Sequence, residues 1–102
     1  MIVETFKDQE LVAIKFVSGE EILCKYKNED NLHIGIEKAL TLMNGPQGMA
    51  MGTFFSTSNP DKVLAIRKES ILSMAPMNPK LVEQYNNIFS KIKQPAKPSI
   101  IT

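Results

Sequence analysis

Tryptophan is missing from this chain, and cysteine and histidine each occur once. The lone Cys24 excludes an intramolecular disulfide and a cysteine-based zinc site within one subunit. Its setting, "ILCKY", is a strand pattern that predicts a buried, inert thiol. The lone His33 excludes a histidine-based metal centre or a histidine pair in one subunit. No metal site and no cofactor is expected. Charge of one sign is also lacking, since 12 basic residues face 11 acidic ones for a net charge of +1. There is therefore no global electrostatic case for nucleic acid, and any such contact needs a local cluster. No apolar run approaches the roughly 18 residues of a membrane span, and Met1–Glu10 lacks the apolar core of a signal peptide. The expected location is a reducing cytoplasm, with no membrane partner.

What the chain does contain is enough for one domain. Its 102 residues are 43% hydrophobic and 23% charged. A chain of this size buries roughly two-thirds of its unfolded surface, so it supports one modest core. Two alternating runs, "LVAIKFVS" at 11–18 and "EILCKYK" at 21–27, flank Ser18-Gly19-Glu20 and predict a β-hairpin. "KNEDN", 27–31, is a polar loop. "LHIGIEKALTLM" alternates again, with Gly35 marking a bend or bulge. The segment 44–52, "NGPQGMAMG", holds three of the five glycines and reads as a long connection without a phosphate-cradle pattern. Thr53–Thr57 reads as a strand and "SNPDK" as a turn. Two short strands follow, Val63–Ile66 and Ser70–Met74, joined by the charged tripeptide Arg67-Lys68-Glu69.

The helix signal is confined to 78–92. Asn78 supplies a cap, Pro79 suits the first helical position, and Leu81, Tyr85, Ile88 and Ile92, flanked by Val82 and Phe89, form an apolar stripe. The stripe packs on the strands or serves a partner. The expected organisation is a mainly β domain over 1–77, a helix over 78–93 packed on it, and a loose proline-rich tail over 94–102.

Two segments carry a resemblance. "VAIKFVSGEEILCKYKNEDNLHIGIEKALTL" resembles the first signature of the Sm-like (LSm) family. That signature is an apolar strand, a Gly turn, a second strand, an acidic loop and a third alternating strand. "LAIRKESILSM" resembles the second signature, in which an Arg-containing turn joins two short strands. The match spans about residues 11–74, without the 44–62 connection. The helix follows the strands here, whereas the family usually carries it first, which fits divergent bacterial or phage members best. The resemblance implies a five-stranded, bent SH3-like barrel. It also implies a homomeric ring of about five to seven subunits, in which neighbouring edge strands pair. In a phage-encoded protein the location would be the host cytoplasm.

The resemblance further implies non-enzymatic binding of single-stranded RNA, U- or A-rich, on a ring face. By position, Asn31 falls where a base-stacking group lies, His33 where the family has a base-reading Asn, Arg67 on the family arginine and Lys68 on a small Gly. Glu29 and Leu32 take the acidic and apolar positions of the supporting loop. Some of these have a plainer reading beside them. Arg67 pairs with Glu69 or with a neighbour's carboxylate. His33 faces solvent from a strand. Glu29 and Asp30 form a solvated acidic loop. The rival function is a protein-interaction or structural ring scaffold without RNA binding. No Ser or Cys nucleophile sits in a recognisable catalytic setting, so an enzyme is not expected.

Overall fold

The computed structural model describes residues 5–46, 48–54, 59 and 61–93, with the side chains of 90–93 excepted. Among these residues the chain forms six strands and one C-terminal helix. The strands are β1 (Leu11–Phe16), β2 (Glu21–Glu29), β3 (His33–Gly45), β4 (Gly48–Thr53), β5 (Leu64–Arg67) and β6 (Ile71–Pro76). They are followed by α1 (Pro79–Lys93). The tail expected at 94–102 lies outside the described residues, as do 55–57 of the strand expected at Thr53–Thr57.

All pairings are antiparallel. The order is β4-β3-β2-β1-β6, and β5 joins β3 beside its first half. β3 therefore has β2 on one side and two strands, β5 then β4, on the other. Among the described residues β6 pairs with β1 alone, and β4 and β5 pair with β3 alone, so hydrogen bonding leaves the sheet open.

The alternation of the sequence sorts side chains into two cores. Val12, Ile14, Phe16, Ile22, Cys24, Tyr26, Ile34 and Ile36 fill one face, joined by Leu64, Ile66, Ile71 and Met74 from β5 and β6. The opposite face places Leu23 and Leu40 against Tyr85, Phe89 and Met77, with Leu11, Ala13, Leu81, Val82 and Ile88 around them. The apolar stripe of α1 is thus committed to the sheet. Burying each such aliphatic side chain contributes roughly 1.5–3 kcal/mol.

β3 serves both cores because it changes parity. Ile34 and Ile36 face the first core, whereas Ala39 packs there and Leu40 lies in the second. The extra residue is Lys38, at φ 53, where the register with β2 slips between Leu23 and Lys25. A second slip, between Tyr26 and Asn28, restores the register opposite Gly35. The carbonyl freed at Lys38 accepts a hydrogen bond from the Tyr85 hydroxyl of α1. Lys38 Nζ lies 3.2 Å from Asp61 Oδ1 in the turn before β5.

Gly35 is required by close approach. A Cβ there would overlap the Asn28 side-chain amide and lie 2.9 Å from Val63 Cγ1. Gly19, at φ 97, turns the first hairpin. Asn78 caps α1 by accepting from the Lys80 amide at 3.0 Å.

Three expectations change. Residues 44–52 are not a long connection, because 48–53 form β4 and extend β3 as a hairpin in which Gly45 faces Gly48. The ladder supplies the order that a Gly- and Met-rich composition conceals. The charged tripeptide is not a tight strand turn, because Lys68–Ser70 form one turn of 3-10 helix. Six strands are present where five are expected, since β4 and β5 divide the same side of β3.

Two outcomes follow. Gly35→Ala should lower stability by about 1 kcal/mol, read as a lower urea midpoint, because the added Cβ displaces the Asn28 side chain and crowds Val63 Cγ1. Cys24 is fully buried, and burial pushes its thiol up to about 12. An aromatic disulfide reagent at neutral pH should therefore modify it only as the protein unfolds.

Candidate functional site

The residues singled out in the sequence lie on two segments that the fold brings together. The β2–β3 loop, Asp30 to Leu32, approaches the 3-10 turn that follows β5. The register places His33 directly opposite Arg67. The Lys68 amide donates to the Leu32 carbonyl at 2.8 Å, which binds the two segments through their backbones. A side-chain tie lies beside it. Lys68 Nζ is 2.9 Å from Glu29 Oε2, and the Tyr26 hydroxyl donates to Glu29 Oε1 at 2.7 Å.

Local chemistry shapes each segment. Asp30 Oδ1 accepts from the Leu32 amide at 2.8 Å and the His33 amide at 2.7 Å, and the Asp30 amide donates to the His33 carbonyl at 2.9 Å. This is the side-chain-to-backbone turn that Asp forms readily. Across the site, the Ser70 hydroxyl donates to the Arg67 carbonyl at 2.7 Å and stitches the 3-10 turn to the end of β5.

The two cations at this site differ. Lys68 is half-buried and spends its amide on the β2–β3 loop and its ammonium on Glu29 at the end of β2. Arg67 is exposed, and its Nη2 lies 3.1 Å from Glu69 Oε2. The expected Arg67–Glu69 pair is therefore present within one chain. His33 Nδ1 is 3.4 Å from Asp30 Oδ1. Asn31 is exposed at the loop tip, and Leu32 is 60% exposed, so an apolar side chain stands open beside the charges. Each cation thus has one carboxylate partner, Glu69 for Arg67 and Glu29 for Lys68, while Asp30 serves the loop amides and the His33 ring.

These contacts move the carboxyl groups in one direction. Lys68 first, then the Tyr26 hydroxyl, hold Glu29 below its ordinary value. The amides of Leu32 and His33 do the same for Asp30. Burial, followed by the Glu29 hydrogen bond and charge, pushes the Tyr26 phenol up to about 12.

Two contributors were not singled out in the sequence. Tyr26 reads there as one more inward strand residue, yet its hydroxyl anchors Glu29. Asp30 reads as a solvated charge, yet it organises the loop, and the signal for this is its place just before two amides in need of an acceptor. Among the described residues no group of three or more His, Cys, Asp or Glu side chains is arranged to hold a metal ion, and no helix is long and apolar enough to cross a membrane.

The lowered carboxyl groups predict a pH response with a definite sign. Their stabilisation is present above the unfolded carboxyl values, about 4 to 4.5, and is lost as pH falls through the lower folded values. The amide resonances of Leu32 and His33 should move over that acid range. In Asp30→Ala both amides should exchange with solvent faster at neutral pH while β1 and β6 keep their protection. No family model matches this chain, and no curated protein is significantly similar to it.

Proposed function

We propose that this chain is an Sm-like subunit whose bent sheet is a small barrel, and that it assembles into a homomeric ring and binds single-stranded RNA on one ring face. The observation that carries this reading is the junction of the β2–β3 loop with the Arg67 turn, where His33 faces Arg67 and the Lys68 amide bonds to Leu32. Arg67 offers a guanidinium fork to a phosphate or a base edge. His33 offers a ring for stacking or hydrogen bonding, and Asn31 an amide. Lys68 holds the loop in place and adds charge. The RNA favoured is U- or A-rich, and no chemical step is involved.

Ring assembly is supported by the open edges. β6, "ILSMAP", and β4, "GMAMGT", carry no charged residue, and Leu72 and Met49 are exposed along them. Such edges invite strand addition, and pairing between copies removes them. A second reading, a ring scaffold that binds protein and not RNA, is favoured by one observation: Arg67 and Lys68 each already hold a carboxylate within the chain.

Light scattering at low micromolar concentration should give the mass of about five to seven subunits. Short U-rich or A-rich oligonucleotides should then bind, and Arg67→Ala should weaken binding by roughly tenfold and flatten its salt dependence while the ring mass is unchanged. Unchanged affinity in an intact Arg67→Ala ring defeats the RNA reading. A monomer defeats the ring.

A further inference from the structure

Arg67 and Lys68 are neighbours in sequence, yet their counter-ions are held very differently. Glu29, the partner of Lys68, has both carboxylate oxygens engaged, one by Lys68 Nζ at 2.9 Å and one by the Tyr26 hydroxyl at 2.7 Å. Lys68 is also fixed through its amide, which bonds to Leu32. Releasing that pair would also leave the Tyr26 hydroxyl and Glu29 without their shared cation. Glu69 is different. Its side chain is 74% exposed, and its contact with Arg67 joins two residues within the same short turn. Arg67 is itself 58% exposed on the side chain, and its carbonyl is held separately by the Ser70 hydroxyl. The guanidinium can therefore change partner without moving the backbone that presents it.

We propose that Glu69 is the internal counter-ion of Arg67, which an incoming phosphate must displace, and that it thereby sets the affinity and charge selectivity of the site. This rests on the RNA reading given above. An exposed ion pair is weak enough to be exchanged and strong enough to be felt. A guanidinium fork donates to phosphate oxygens in the same geometry as to a carboxylate. While Glu69 holds Arg67 and Glu29 holds Lys68, a ligand that offers only negative charge meets two cations already paired with carboxylates. A ligand that also offers a base to His33 and Asn31 has a second source of binding energy with which to displace Glu69. Glu69 then acts as a specificity-determining residue that discriminates RNA from generic polyanions. The fixed Lys68–Glu29 pair keeps the pocket in shape while the exchange takes place.

The test is a double-mutant cycle. Anisotropy of a labelled U-rich or A-rich oligonucleotide is measured at two salt concentrations for the wild type, Glu69→Gln, Arg67→Ala and the double variant, with ring mass and circular dichroism as controls. Inorganic polyphosphate serves as the base-free polyanion. Glu69→Gln should tighten oligonucleotide binding roughly two- to fivefold at low salt. It should steepen the salt slope by about one phosphate contact and tighten polyphosphate binding by a larger factor. All three gains should vanish in the Arg67→Ala background. If the wild type binds RNA through Arg67 and Glu69→Gln changes nothing, the inference is wrong and the RNA reading stands. The inference also fails if the gain is equal in both backgrounds, because Glu69 then acts by long-range charge alone. Absence of binding in all four proteins overturns both.

Discussion

The bend of β3 at Lys38 is the constraint on which the rest of this structure depends. A strand has a period of two, so one inserted residue exchanges its faces. Before Lys38, β3 sends Ile34 and Ile36 to the inner core. After it, Leu40 is delivered to the core beneath α1. A straight β3 would place Ile34, Ile36, Leu40 and Leu42 on one face and remove Leu40 from the core beneath α1. The left-handed backbone at Lys38 is compensated from two directions, by the Tyr85 hydroxyl on its carbonyl and by Asp61 beside its ammonium. One residue thus connects the helix, the sheet and the turn leading into β5.

The same bend positions the candidate site. On either side of this bulge the two halves of β3 take different neighbours along one edge, β5 beside His33–Ile36 and β4 beside Leu40–Gly45. β5 is only four residues long, so Arg67 arrives opposite His33 as the chain leaves the sheet. The 3-10 turn then carries Lys68 back over the β2–β3 loop. Function at this junction would rest on a rigid frame, since backbone hydrogen bonds and the Tyr26–Glu29–Lys68 chain hold it from both sides. The pair Arg67–Glu69, by contrast, is exposed and lies within the one short turn.

Much of this architecture is legible in the residues. Alternation of Val12, Ile14 and Phe16, then Ile22, Cys24 and Tyr26, specifies β1, β2 and their inward faces without reference to anything distant. Asn78, Pro79 and the spacing of Leu81, Tyr85 and Phe89 specify a capped helix with one apolar side. β4 is not legible, because Gly48, Met49, Ala50, Met51 and Gly52 have little strand propensity of their own. They become a strand by pairing with a β3 already in place. The site is legible in its parts, as Arg67 at a strand end and a polar loop before His33, but the partners that lock it are not.

What local chemistry determines by itself is therefore the set of elements: period, cap and turn residues act over a few positions and need no partner. What only the tertiary structure decides is which elements meet. A lysine at position 38 does not announce a positive φ, and nothing near Glu29 points to Lys68, 39 residues away. Both outcomes depend on the packing of α1 against one face and the return of β5 along β3. Long-range pairing of this kind is chosen by the sum of two buried cores, and no short window of sequence contains that sum.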